Sequence, residues 1–172
     1  SSGYRAWDRT FGGEGADWGH SVQQTADGGY IITGYTHDAF GGKDVCLIKT
    51  DSSGYGEWER AFGGAGEEEG HSVQQTTDGG YIITGYTLDN FGGDDLWLIK
   101  TDSSGYRVWD RTFGGSGQDG GNSVEETEDG GYIITGYTLD NFGGDDLWLI
   151  KTDSSGYKSW DRTFGGKGQE QG

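Results

Sequence analysis

Two acidic stretches, DNFGGDD at 89–95 and again at 140–146, concentrate the residues of this 172-residue chain that could do chemistry. Each places three carboxylates within seven residues: Asp89, Asp94 and Asp95 in one, Asp140, Asp145 and Asp146 in the other. Carboxylates and backbone carbonyls in such close sequence suit a hard, oxygen-preferring cation such as calcium. The matching stretch nearer the N-terminus reads DAFGGKD, where Lys43 replaces a carboxylate. A calcium site in every copy is therefore not expected, and solvated acidic turns are the competing reading. His20 and His71 also fall at matching places, but the third copy has Asn122. Histidines from separate repeats could converge on a metal ion. With one missing and no cysteine or second histidine beside either, they are expected to be polar turn residues. His37 stands where Leu88 and Leu139 stand and reads as loop variation.

Other candidates carry less. GGEGADWGH at 12–20 and GGSGQDGGN at 114–122 begin like a calcium-binding β-roll motif. They place Gly19 or Gly121 where that motif needs a large apolar side chain, and the second copy has Glu68 for the aspartate. Loops between repeats are expected there. The triplet Trp7-Asp8-Arg9 has relatives at 58–60, 109–111 and 160–162. Neighbouring residues of a strand point to opposite faces, so its charges should pair across strands or blades. Nucleophile elbows, phosphate loops, dinucleotide fingerprints and zinc-spaced Cys/His sets are absent from the sequence, so no enzyme is expected.

The elements that must position these residues follow from a repeat. SSGY begins at Ser1, Ser52, Ser103 and Ser154, a period of 51 residues, and units 68–118 and 119–169 agree at 42 of 51 positions. Within a unit, four strands are expected. In the second they span 72–76, 81–87, 96–101 and 106–113, with a polar loop at 88–95. Asp-Gly-Gly at 78–80 and Asp-Ser-Ser-Gly at 102–105 supply the tight turns. No segment sustains a 3.6-residue period, so almost no helix is expected. The runs YII and LWLI are continuously apolar, which implies burial on both faces of the sheet. Gly34, Gly85 and Gly136 within YIITGYT are expected to admit the next sheet or a bulge. Four-stranded antiparallel sheets covered on both sides by near-identical neighbours describe blades of a β-propeller. The fold class expected is all-β, with three full blades at 17–67, 68–118 and 119–169. An orphan outer strand and loop precede them at 1–16, and a tail follows at 170–172.

Composition agrees with an ordered chain. There are 37 glycines and no proline, but 7 Trp, 10 Tyr and 7 Phe supply large areas to bury. The net charge of -17 repels nucleic acid and anionic membrane surfaces and attracts cations. No apolar run reaches the ~18 residues of a membrane span. Cys46 is the single cysteine, which excludes an intramolecular disulfide. Trp97 and Trp148 hold its equivalent position, so it is expected to fill core space as a small apolar residue. A chain starting at Ser1 without methionine reads as a processed or excised segment.

The patterns WDRTFGG, SVQQTxDGGYIITGYT and LWLIKTDSSGY resemble tandem repeats of large secreted or surface proteins of archaea and bacteria, especially methanogens. Those repeats look like propeller blades, and DSSGYxxW is similar to the strand turns of quinoprotein-type blades. The resemblance covers nearly the whole chain. It implies an extracellular or cell-surface setting and a scaffold or adhesive role, with no catalytic residues to carry over.

Three blades do not readily close a ring, so the terminal faces should expose apolar side chains. The orphan strand at 4–11 duplicates the outer strand of the last blade, at 157–164. The residues expected to mediate assembly are Tyr4, Trp7 and Phe11 at one end, and Tyr157, Trp160 and Phe164 at the other. The expected partner is a second copy, either closing a ring of six blades or growing head to tail as a fibre. A non-enzymatic structural, self-assembling module is thus expected. The alternative is a lectin-like propeller that holds a glycan with calcium. Unequal loops between repeats (EGADW, AGEEE, SGQDG) favour the structural role.

Overall fold

The computed structural model describes residues 7–37, 42–88, 93–139 and 144–165, and among them every regular element is a strand. Blade 1 contains β1 (Trp18–Gln24), β2 (Tyr30–His37), β3 (Lys43–Thr50) and β4 (Gly56–Phe62). Blade 2 contains β5 (Glu68–Gln75), β6 (Tyr81–Leu88), β7 (Asp94–Thr101) and β8 (Arg107–Phe113). Blade 3 contains β9 (Asp119–Glu126), β10 (Tyr132–Leu139), β11 (Asp145–Thr152) and β12 (Lys158–Phe164). Each blade is a four-stranded antiparallel meander in sequence order. The all-β, blade-repeat expectation holds, and the three blades form an open arc rather than a closed ring.

The first hairpin turn of each blade is built by its aspartate. In blade 2, Gly79 takes φ +83°, a left-handed conformation that costs glycine little. The Asp78 carboxylate accepts from the Gly80 N–H and the Thr76 hydroxyl. It also meets the Lys100 ammonium at 2.8 Å. Lys100 runs its stem through the blade and brings its charge out at the turn, so an almost fully buried lysine is nonetheless paired. Lys49 with Asp27 and Lys151 with Asp129 repeat the arrangement.

The inner strands begin earlier than the sequence suggests. Glu68 pairs with Thr87 and Glu69 with Tyr86, so the stretch expected to be a loop between blades is the first turn-free half of β5. Likewise Leu88 closes β6, and Asp94 and Asp95 open β7. The expected loop therefore shrinks to residues 89–93, most of which lie outside the described residues.

One glycine shapes each inner strand. A Cβ on Gly85 would collide with the Glu69 carbonyl, as would one on Gly34 with Trp18 and one on Gly136 with Gly120. At this close approach the register slips: Gly70 pairs with Gly85, but Ser72 pairs with Thr84. His71 is left over as the extra residue of a β-bulge, which bends the strand and re-aims the side chain. His20 and Asn122 occupy the same bulge in blades 1 and 3. Of the two roles expected of these glycines, the bulge is the one they serve. Close approach of the next blade falls instead to Gly70 and Gly121, where a Cβ would strike Thr33 and Thr84 of the preceding blade.

The continuous apolar strands are buried on both faces as expected. In blade 2, Tyr81, Ile83, Trp97 and Ile99 pack with Ile31, Val45, Leu47 and Phe62 of blade 1. The alternate residues Ile82, Leu96 and Leu98 pack with Val124, Tyr132, Ile134, Trp148 and Ile150 of blade 3. Each such side chain contributes about 1.5–3 kcal/mol on full burial, so the two blade junctions supply most of the core.

The turn ion pair predicts a pH response. Burial raises the Asp78 carboxyl, but hydrogen bonds from Lys100, Thr76 and Gly80 overcome this and lower it from 3.8 to about 2. A folded value below the ordinary one stabilises the fold above that ordinary value, and the contribution fades as pH falls toward the folded value. Wild-type protein is expected to melt higher than Asp78→Asn at neutral pH, with the gap closing between about pH 4 and pH 2. A gap unchanged across that window in thermal melts would assign the difference to something other than this carboxylate.

Candidate functional site

The surfaces that most resemble a site are the blade faces, and their construction is visible at the two junctions inside the chain. Inner strands are sheet edges, with backbone donors that must find partners. Across the first junction, the Gln75 N–H donates to Gln23 Oε1 at 2.6 Å, and Gln75 Oε1 accepts from the Ala26 N–H at 2.8 Å. Across the second, the Glu126 N–H donates to Gln74 Oε1 at 2.7 Å and the Glu126 carboxylate accepts from the Thr77 N–H. Ser21 and Ser72 hydroxyls accept from Val73 and Val124 in the same way. Side chains of one inner strand thus satisfy the edge of the next.

At the outer rim the W-D-R triplet divides its work, as its alternation suggested. Trp58 stands edge-on to Tyr81 of the next blade, with ring centroids 5.8 Å apart. Arg60 lies over the Tyr106 ring at 4.3 Å and donates to the Ser104 carbonyl, gripping the next blade's DSSG turn. Trp109 with Tyr132 and Arg111 with Tyr157 repeat the grip. The aspartate points back into its own blade, where Asp110 accepts from the Trp97 indole and Asp161 from Trp148.

The residues expected to mediate assembly fall at the two ends of this series. Residues 7–10 belong to no sheet. Trp7 nevertheless meets Tyr30 at 5.8 Å and Arg9 lies over Tyr55 at 4.3 Å, the same contacts the outer strands make with a following blade. Phe11 lines the cleft beside Ile32 and Cys46. At the other end Phe164 is 56% exposed and Trp160 40%, and Tyr157 is 62% exposed with Arg111 over its ring. Tyr4 lies outside the described residues.

The calcium expectation is placed differently by the strands. Asp94 and Asp95 are successive residues of β7, opposite Leu88 and Thr87, and so face opposite sides of the sheet. Asp145 and Asp146 do the same in β11. Asp95 instead approaches Gly114 together with Asp119 of the next blade. Asp89 and Asp140 lie outside the described residues. Among the described residues, the one group of three or more potential metal ligands is His20, Glu69 and His71. The histidines lie on strands rather than in turns, contrary to expectation, because each inner strand starts early and bulges there.

Cys46 is buried, but it leaves space. A cleft of about 170 Å³ beside it is lined by Phe11, Ile32, Ile48 and Glu59, where Trp97 and Trp148 place an indole in the other blades. Burial, and then the Glu59 charge, push its thiol up to about 11, so it stays protonated and unreactive. No family model matches the chain, and no curated protein matches it.

Two stability measurements test this account of the faces. Gly79 and Gly105 both have positive φ, but only Gly105 faces a ring, with Trp58 2.5 Å from where its Cβ would stand. In urea titrations, Gly79→Ala is expected to cost about 1–2 kcal/mol from backbone strain. Gly105→Ala is expected to lose about 1–3 kcal/mol more from overpacking. Equal losses would mean that the Trp58 ring yields freely and clamps nothing. In thermal melts, Cys46→Trp is expected to raise the melting temperature by filling the cleft, with Glu59 accepting the indole N–H. A lower melting temperature would show that residues 7–11 already claim that space.

Proposed function

We propose that this chain is a non-enzymatic structural module that associates with copies of itself through blade faces, in an extracellular or cell-surface assembly. One observation carries the reading: its two uncovered faces are the two halves of a junction the chain already makes twice. On blade 3, Leu147 is 52% exposed, whereas its equivalents Val45 and Leu96 are at 1% and 0%. On blade 1, Val22 is 64% exposed, against 5% for Val73 and 3% for Val124. Apolar surface of this kind, matched in shape by a known buried counterpart, is what a second copy would cover. The polar edge fits too, since Ser123 and Glu125 stand where Ser72 and Gln74 accept the next blade's N–H groups.

The occupant also explains the duplicated outer-strand sequence, which at residues 7–10 belongs to no sheet. Residues 7–11 of an incoming copy and β12 of the receiving copy would claim the same place beside the incoming Tyr30. Their sequences, WDRTF in both, are identical over these residues. One replaces the other at little energetic difference, so association proceeds by strand exchange onto β11. The surface-protein resemblance of the repeats supports the setting, and near-identical blades offer little of the asymmetry that chemistry requires.

Light scattering after size exclusion tests the reading. The expected species is a multiple of 18.5 kDa. Leu147→Glu, which charges a side chain already exposed in the single chain, is expected to return it to monomer with its melting temperature unchanged. A wild-type monomer across all accessible concentrations would rule out self-association.

A further inference from the structure

The near-identical blades differ at a few positions, and three of these converge at one end of the inner strands. Position 69 is Trp18 in blade 1 and Gly120 in blade 3; position 71 is His20 and Asn122; the residue facing them from β3 is Lys43, against Asp94 and Asp145 elsewhere. Only the junction between blades 1 and 2 therefore holds two histidines and a glutamate together. The His20 and His71 rings lie 5.4 Å apart, and one ligand atom from each of His20, Glu69 and His71 lies within 4.8 Å of the others.

The hydrogen bonds around these groups fix which atoms face inward. His20 Nδ1 contacts the Gly70 carbonyl at 3.2 Å, and His71 Nδ1 contacts the Gly121 carbonyl at 2.9 Å. A carbonyl only accepts, so Nδ1 carries a proton in both rings, and in the neutral imidazole Nε2 then holds the lone pair. This is the support that orients metal-bound imidazoles, with one nitrogen tied to a backbone carbonyl and the other free to ligate. Glu69 is held equally firmly. Its Oε1 accepts from Lys43 at 2.7 Å, and Tyr86 donates to the same carboxylate. Its Oε2 lies 3.7 Å from His71 Nε2. A lone pair facing a carboxylate at that distance is repulsive, and either a proton on Nε2 or a metal cation between the two relieves it.

We propose that His20, His71 and Glu69 form a binding site for a divalent transition-metal ion, zinc being the representative case, that bridges blades 1 and 2. The donor set is two imidazole nitrogens and one carboxylate oxygen, leaving one tetrahedral position to water. Imidazole donors select zinc, nickel or copper over calcium, so this is a different site from the one the acidic stretches suggested. Tetrahedral ligands at zinc stand about 3.3 Å apart, so the rings and the carboxylate close inward slightly on binding. Lys43 contends for the charge of Glu69 and keeps the affinity moderate. The bulges place the site, because without the extra residue His20 and His71 would alternate back into the blade.

Isothermal titration of the full chain with zinc chloride, in a buffer that does not coordinate metal, tests the site. One ion per chain is expected, with the melting temperature rising in zinc. His20→Asn and His71→Asn are each expected to weaken binding by at least about tenfold, and Glu69→Gln by a similar factor. His37→Asn, outside the cluster, is expected to leave it unchanged. Asparagine already occupies this bulge in blade 3, so the variants should fold, and their metal-free melting temperatures check that. Absence of saturable binding in the wild type would overturn the proposal. So would zinc binding that survives in the His20→Asn/His71→Asn double variant.

Discussion

Each sheet in this protein is apolar on both faces, and no blade can bury itself. That constraint organises everything else in the molecule. Strands that alternated between apolar and polar would permit an isolated sheet with one wet side. Here Ile82 and Ile83 are both fully buried, though they point opposite ways, because a blade stands on each side of them. The same demand makes the first and third blades incomplete as they stand, one face of each being only half satisfied. The self-association proposed above draws on that arithmetic rather than on an added device.

Packing blades closely brings their inner edges together, and those edges carry backbone donors with no strand to pair with. The solution is side-chain relay, with Gln23, Gln74, Gln75 and Glu126 answering N–H groups on neighbouring blades. Two kinds of glycine make the approach possible. Gly70 and Gly121 let the preceding blade sit close, and Gly34, Gly85 and Gly136 admit a carbonyl of their own sheet and so produce a bulge. The bulge turns one residue per blade toward its neighbour. In two blades that residue is histidine, and where glutamate stands beside them the same geometry gathers a set of metal-ligand types.

Much of the architecture was legible in the sequence, for specific reasons. The 51-residue period set the number of blades, the Asp-Gly turns set the hairpins, and the unbroken runs YII and LWLI announced two buried faces. The strand glycines were legible as a departure from regular pairing. The division of labour in W-D-R followed from alternation alone, since Asp110 had to point away from Arg111. What misled was polarity. GEEEGH looks like a loop, yet its last four residues are the first half of β5, because its carboxylates and histidine sit at a blade junction where they have partners. Asp94 and Asp95 looked like one cluster of ligands, yet a strand sends them to opposite faces. Cys46 looked like a filler, and the cleft beside it shows how far a thiol falls short of an indole.

The sequence by itself determined the local and periodic facts: strand, turn, repeat length, and the need of each sheet for two neighbours. These depend on residue type and spacing along the chain, which the sequence displays directly. The tertiary structure alone decided which residues meet across a junction. His20 and Glu69 are 49 positions apart, and nothing in their spacing says that one bulge and one blade-to-blade approach bring them within ligand distance. Contacts of that kind are set by the stagger and separation of packed sheets. Those depend on where a missing Cβ lets backbones close in, and on the position of Lys43 opposite Glu69 rather than on either residue alone.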